Sequence, residues 1–279
     1  MTGTGSQGSG APSGDRRHPS DDSPDRPEDS PGRSDRPANR SSETPTTELA
    51  HLTSREVERR LAEDPRLLLA VGSLEQHGPH LPLGTNILIA DRVVQAASRS
   101  TGVLQAPTLQ YGVGAPTKRP FPGAASLQRK TLHRTLNEIL AAWEDAGVRE
   151  LVIVTANHYE PHLDALLMAL TSKSITTVVD LRSIPTGGIL EGDPISEHGG
   201  ELETSLLLHL APEMVRQDEI ADFIPDSRTF RKYVRGRRPT PPPDSPGVVG
   251  RPSLASHEKG ERLFRRYVSV LRDRILEGS

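Results

Sequence analysis

Three short stretches of the chain combine imidazole with carboxylate. They are Glu75-Gln76-His77, with His80 and Asn86 soon after; His158-Tyr159-Glu160; and Glu197-His198-Gly199-Gly200-Glu201-Leu202-Glu203, preceded by Ser196. Nitrogen and oxygen donors without sulfur suit Zn2+ or Mn2+, and Fe2+ as well. Glu75 and His77 are one residue apart, so in an extended segment they project from the same side, and His158 and Glu160 do likewise. Two such pairs on neighbouring strand ends would converge on one cation, or on two a few ångströms apart. Each pair alone carries little weight, because short Glu/His patterns are common. Glu201 and Glu203 equally suit the first turn of a helix, where acids meet the positive end of its dipole. Glu197 and His198, before two glycines, equally suit a solvated turn. Position raises all three above that background.

The positions follow from the elements. Arg66–Ser73 is a continuous apolar run closing on Gly and Ser, the pattern of a strand buried on both faces. Glu150–Thr155 is a second, and Val103–Leu109 and Ile175–Leu181 read as two more. Helices are predicted from Thr53 or Ser54 to about Ala62, then over Ile87–Ser100, Lys130–Gly147, His162–Ser172, Glu201–Leu210 and Leu254–Leu276. Strands alternating with helices predict βαβ units, hence an α/β fold: a three-layer αβα sandwich around a mostly parallel sheet. In such sheets sites lie beyond the carboxyl ends of the strands. The first two clusters directly follow predicted strands, and the third leads into a helix.

The remaining composition narrows the function classes. Residues 1–48 contain no Val, Ile, Leu, Phe, Tyr or Trp, so they cannot bury enough apolar surface to offset chain entropy. They read as a disordered tail, with the folded domain spanning 49–279. The formal charge of −3 offers no electrostatic case for nucleic acid or an anionic membrane. No apolar run is long enough to span a bilayer, and a cytoplasmic location is the default expectation. Cysteine is absent, which excludes disulfides, thiol catalysis and thiolate-ligated zinc. The Arg-dense loop around Arg231–Arg238, beside the proline run Pro239–Pro243, reads as irregular and solvated.

The string GSLEQHGPHLPLGTN, residues 72–86, resembles the creatininase-family signature. The likeness continues through Phe121-Pro122-Gly123, Asn157-His158-Tyr159-Glu160, EHGGELETS at 197–205, Gly247, Pro252–Ser256 and Glu258-Lys259-Gly260. The resemblance implies a metal-dependent amidohydrolase, in which metal-activated water attacks an amide or cyclic amide C–N bond of a small molecule or short peptide, in a specialised biosynthetic pathway. Glu75 and His158 match ligands of one ion, and His77 and Glu160 ligands of a second. Asn86 stands where the family has an aspartate bridging both, so one or two ions per chain are expected. Glu197 and His198 match the pair beside the substrate, the histidine moving a proton. Tyr159 matches an aromatic residue lining the pocket, and Glu201 a glutamate of other family branches. Family members are homo-oligomers, commonly hexamers, which implies self-assembly here. An amide-forming relative and a non-catalytic scaffold with a decayed metal site stay open as alternatives.

Overall fold

The leucines of Arg66–Ala70 have neither the room nor the spacing for an amphipathic helix between Pro65 and Gly72, and they form the central strand. In the computed structural model, which describes residues 46–116, 121–169, 174–192, 197–226, 228–229 and 244–277, this strand (β1, Arg66–Ala70) is almost wholly buried. It pairs in parallel with β2 (Leu104–Gln105) on one side and β3 (Glu150–Thr155) on the other, and β3 pairs in parallel with β4 (Ile175–Asp180). The order is β2-β1-β3-β4. Residues before 46, Ser196, and the expected Arg-dense loop and proline run at 231–243 lie outside the described residues, as do positions 170–173 of the fourth predicted helix.

Alternation along the strands builds two cores. Leu68, Ala70, Val152 and Val154 face α2 (Thr85–Thr101), α5 (Glu201–Leu210) and α6 (His257–Glu277). Leu67, Leu69, Leu151 and Ile153 face α1 (Ser54–Glu63), α3 (Arg129–Asp145) and α4 (Glu160–Leu167). Helices therefore cover both faces of a wholly parallel sheet, the three-layer arrangement expected from the sequence. Thr53 caps α1 in a reciprocal capping box with Glu56. β2 is shorter than its apolar run because Pro107 has no N–H for the ladder; only an isolated bridge, Val71 to Leu109, continues the pairing. No helix among the described residues is long and apolar enough to cross a membrane.

The chain turns from β1 to β2 on one side of the sheet, and later passes to β3 on the other. That change of direction opens a crevice at the carboxyl ends of β1 and β3. Residues 72–77 leave β1 there, and 156–160 leave β3.

Candidate metal centre

Gly72 lets the end of β1 come hard against α2. A Cβ at this position would lie 2.7 Å from Ile87 Cα, too close for any larger residue. The contact sets Ser73 beside Asn86, whose amide nitrogen donates to Ser73 Oγ at 2.9 Å. Ser73 Oγ in turn lies 3.4 Å from Glu75 Oε2. Two residues on, His77 is fully buried, and its Nδ1 bonds the Glu75 backbone carbonyl at 3.0 Å. A carbonyl only accepts, so Nδ1 carries a proton, and in the neutral imidazole Nε2 is the nitrogen with the lone pair. That Nε2 is buried and has no hydrogen-bond partner among the described residues.

The third cluster closes over His77. Gly199 adopts φ +59°, and a Cβ there would lie 2.6 Å from His77 O, so both the left-handed turn and the close approach call for glycine. The His198 ring stacks on that of His77 with centroids 4.5 Å apart. His198 Nε2 lies 2.6 Å from Gln76 O and 3.1 Å from the Gln76 side-chain amide nitrogen, which hold the ring in place. In the first turn of α5, Glu203 brings Oε1 to 3.7 Å from His77 Nε2. Ligand atoms of His77, His198 and Glu203 all lie within 4.8 Å of one another, a group able to hold a metal ion.

Arg182, from the turn after β4, anchors this group. Its Nη1 donates to Glu203 Oε1 at 2.6 Å and its Nη2 to Glu197 O at 2.8 Å. Burial works to raise the Glu203 carboxyl, but Arg182 above all, with the Gly199 amide, holds it down at about 2. Burial and the neighbouring His77 lower His198, which favours its neutral form. Burial also raises Glu75, with Glu203 adding to the effect and His198 opposing it. Glu197 is pushed up to about 8, chiefly by burial, against the pull of Arg182 and of the Glu201 and Leu202 amides that it accepts.

The other residues singled out in the sequence fall around this core. Asn86 lies in the first turn of α2, its Oδ1 buried and without a partner. His158, just past β3, bonds through Nδ1 to Asp180 Oδ2 at the end of β4, which turns its Nε2 lone pair outward from that contact. Tyr159 is half-buried and within electrostatic reach of Glu75 and Glu160, both of which raise its hydroxyl after the larger effect of burial. Glu160 is exposed in the first turn of α4 and does not join the buried cluster. Glu201 does not join it either. Its carboxylate accepts from the Glu191 and Gly192 amides and pairs with Lys259 Nζ at 2.6 Å. Residues two apart on a helix point about 200° apart, so Glu203, one of the two acids read as favouring the helix start, meets the imidazoles while Glu201 faces away. Asp180 and Arg182 were not singled out from sequence; Asp180 lies near the end of the predicted strand Ile175–Leu181 and Arg182 directly follows it, the signal that marked the first two clusters.

His80 and His162 have structural partners. His80 Nε2 bonds Thr204 Oγ1 at 2.9 Å. His162 accepts from the Val113 amide through Nδ1 and meets Thr155 Oγ1 through Nε2, and burial lowers it to about 4.

A divalent cation fits what is present. Among the described residues eight buried side-chain atoms have no hydrogen-bond partner; two of them, His77 Nε2 and Asn86 Oδ1, are of the types that ligate such an ion and lie in this region. A parallel αβα sheet with an imidazole–carboxylate group beyond its central strands defines an α/β protein with a group that could hold such an ion. A family model described as creatinine amidohydrolase matches residues 50–275. The chain belongs to the creatininase family of amidohydrolases. It is 32% identical over 255 residues to the creatinine amidohydrolase of Pseudomonas putida, covering 82% of this chain and 96% of that one. Identity to the mycofactocin precursor peptide peptidase of Mycolicibacterium smegmatis is 29% over 226 residues, 76% of this chain and 84% of the relative. A crystal structure of creatinine amidohydrolase superposes with a TM-score of 0.70 at 26% identity, covering 84% of this chain and 98% of the other. A manganese form of creatininase superposes at 0.69 with 28% identity, covering 84% and 99%.

Proposed function

We propose that the chain hydrolyses an amide or cyclic amide C–N bond in a small molecule or short peptide, using a divalent cation, Mn2+ or Zn2+, held by the buried centre. The observation that carries this reading is His77 Nε2, buried and without a hydrogen-bond partner among the described residues, within a group completed by His198 and Glu203. Asn86 Oδ1, Glu75 and His158 are the further donors nearest in chemistry and position. When bound, the ion supplies Lewis acidity and makes a coordinated water more acidic.

The chain's own groups divide the remaining work. His198 is favoured as neutral imidazole, and its one lone pair either ligates the cation or, left free of it, takes or returns a proton at the reacting nitrogen. Gln76 O fixes its ring, and the stack on His77 fixes its tilt. Glu197 holds the start of α5 through two backbone amides, and thereby the loop that carries His198. Tyr159, within electrostatic reach of Glu75 and Glu160, offers an aromatic wall to the substrate. The creatinine amidohydrolase and the peptide peptidase among the relatives define the substrate range to screen. Self-assembly, which the family resemblance implies, belongs to the same proposal; Leu167, Met168 and Ile175, exposed at the end of α4 and the start of edge strand β4, are apolar surface that an interface would cover.

The test is turnover of creatinine, N-formyl amines and short peptides by chain stripped with chelator and reloaded with Mn2+ or Zn2+. Activity should return with the metal, and His77→Ala should lower both metal content and kcat/KM by at least about 100-fold. Full metal content and full activity in His77→Ala would sink the proposal.

A further inference from the structure

The Asn86 amide nitrogen donates to Ser73 Oγ, and its Oδ1, an acceptor only, is buried with no partner among the described residues. Such an oxygen can ligate a cation but adds no negative charge. Glu203, the one acid of the three-residue cluster, already faces a permanent cation: Arg182 Nη1 lies 2.6 Å from its Oε1, the same oxygen that approaches His77. Arginine does not lose its proton in proteins, and Arg182 is held in place by its second bond to Glu197 O. His77 and His198 bring donor atoms but no anionic charge. Glu75, joined to Asn86 through Ser73, is the remaining acid of this hydrogen-bonded chain. Two dications in a buried site repel one another strongly unless carboxylates lie between them.

We propose that the centre binds one divalent cation per chain, not two, because Arg182 supplies a fixed positive charge to Glu203 while Asn86 offers only a neutral oxygen. This rests on the metal-dependent reading above and adds its stoichiometry. Asn86→Asp restores the missing charge at nearly unchanged shape, and the Ser73 hydroxyl can rotate to donate to the new carboxylate.

The full-length chain is stripped with chelator, dialysed against Mn2+ and counted by elemental analysis, with paramagnetic resonance of the bound Mn2+ as a second readout that needs no variant. The parent is expected to hold one Mn2+ with the six-line spectrum of an isolated ion. Asn86→Asp is expected to hold two, with the broadened spectrum of a coupled pair. Two ions or a coupled spectrum in the parent would overturn the proposal and leave the metal-dependent reading standing. One ion in both proteins would also overturn it, since Asn86 would not then limit the count. No bound Mn2+ in either protein, with Zn2+ giving the same result, would overturn both.

Discussion

Replacing Glu203 with Gln is expected to destabilise the fold by about 3 kcal/mol at pH 7. Gln keeps the shape and one acceptor oxygen, so the change removes the charge and one of the two hydrogen bonds accepted from Arg182 and the Gly199 amide. The side chains of Glu203 and Arg182 are 3% and 5% exposed, and no solvent is on hand to take up the guanidinium left behind. Removing one partner of a buried pair typically costs ~3–5 kcal/mol because the other charge stays buried. A second route gives a similar figure. The carboxyl is held from an ordinary 4.5 down at about 2, which corresponds to about 3 kcal/mol. A lowered carboxyl contributes stability that is fully present above its unfolded value and is lost only as pH falls towards about 2. At pH 7 the whole amount is there to lose. For a domain of this size the loss corresponds to a fall in Tm of about 6–12 °C. The assay is urea unfolding of chelator-treated chain at pH 7, with Arg182→Met and the double variant alongside. The double variant should be more stable than the sum of the single losses, because it leaves no buried charge unpaired. A Glu203→Gln loss within about 0.5 kcal/mol of zero, or strict additivity in the cycle, would refute the assigned pairing.

Two further perturbations test the surroundings of the centre. Asp180→Asn keeps an oxygen for the Arg182 amide, but presents an amide N–H to His158 Nδ1. That should drive the His158 proton onto Nε2 and remove its lone pair; calorimetric titration should show Mn2+ or Zn2+ affinity falling about 10–100-fold if His158 ligates, and unchanged affinity would remove it from the ligand set. His162 is fully buried as neutral imidazole and lowered to about 4, so the unfolded chain takes up the proton first as pH falls below about 6.5. Its share of stability should decline by about 2 kcal/mol between pH 7 and pH 5, measured as a fall in the urea midpoint that is smaller in His162→Gln.

The fold was legible because its signals are local. β3 and α5 occupy the residues expected of them, and α1 begins at the capping residue that Thr53-x-x-Glu56 announces. Where the boundaries moved, one residue explains each shift. Pro107 cuts β2 short, and α4 starts at Glu160 because Pro161 is tolerated in a first helical turn and need not follow it. α2 begins at Thr85, which carries Asn86 into the helix and buries it against the end of β1.

The site was legible as three regions and not as a ligand set. A period-2 argument places Glu75 and His77 on one side of an extended segment, but past Ala70 the chain is no longer a strand: Glu75 and His77 are held by a carbonyl-to-Nδ1 bond that no spacing rule announces. Glu201 and Glu203 are both acids in a first helical turn, and nothing in their types separates them. Lys259, on α6 and 58 positions away from Glu201, decides the matter by drawing that carboxylate out of the crevice. Arg182 settles the converse by fixing Glu203 inside it. The charge balance at the centre is thus set by two cations that lie remote in sequence from the acids they pair with, and reading it required the tertiary contacts of β4 and α6 with α5. The same balance makes Asn86 more than an isolated departure from a motif: a permanent guanidinium on Glu203 and a neutral amide at Asn86 both lower the negative charge available, and both act against a second ion.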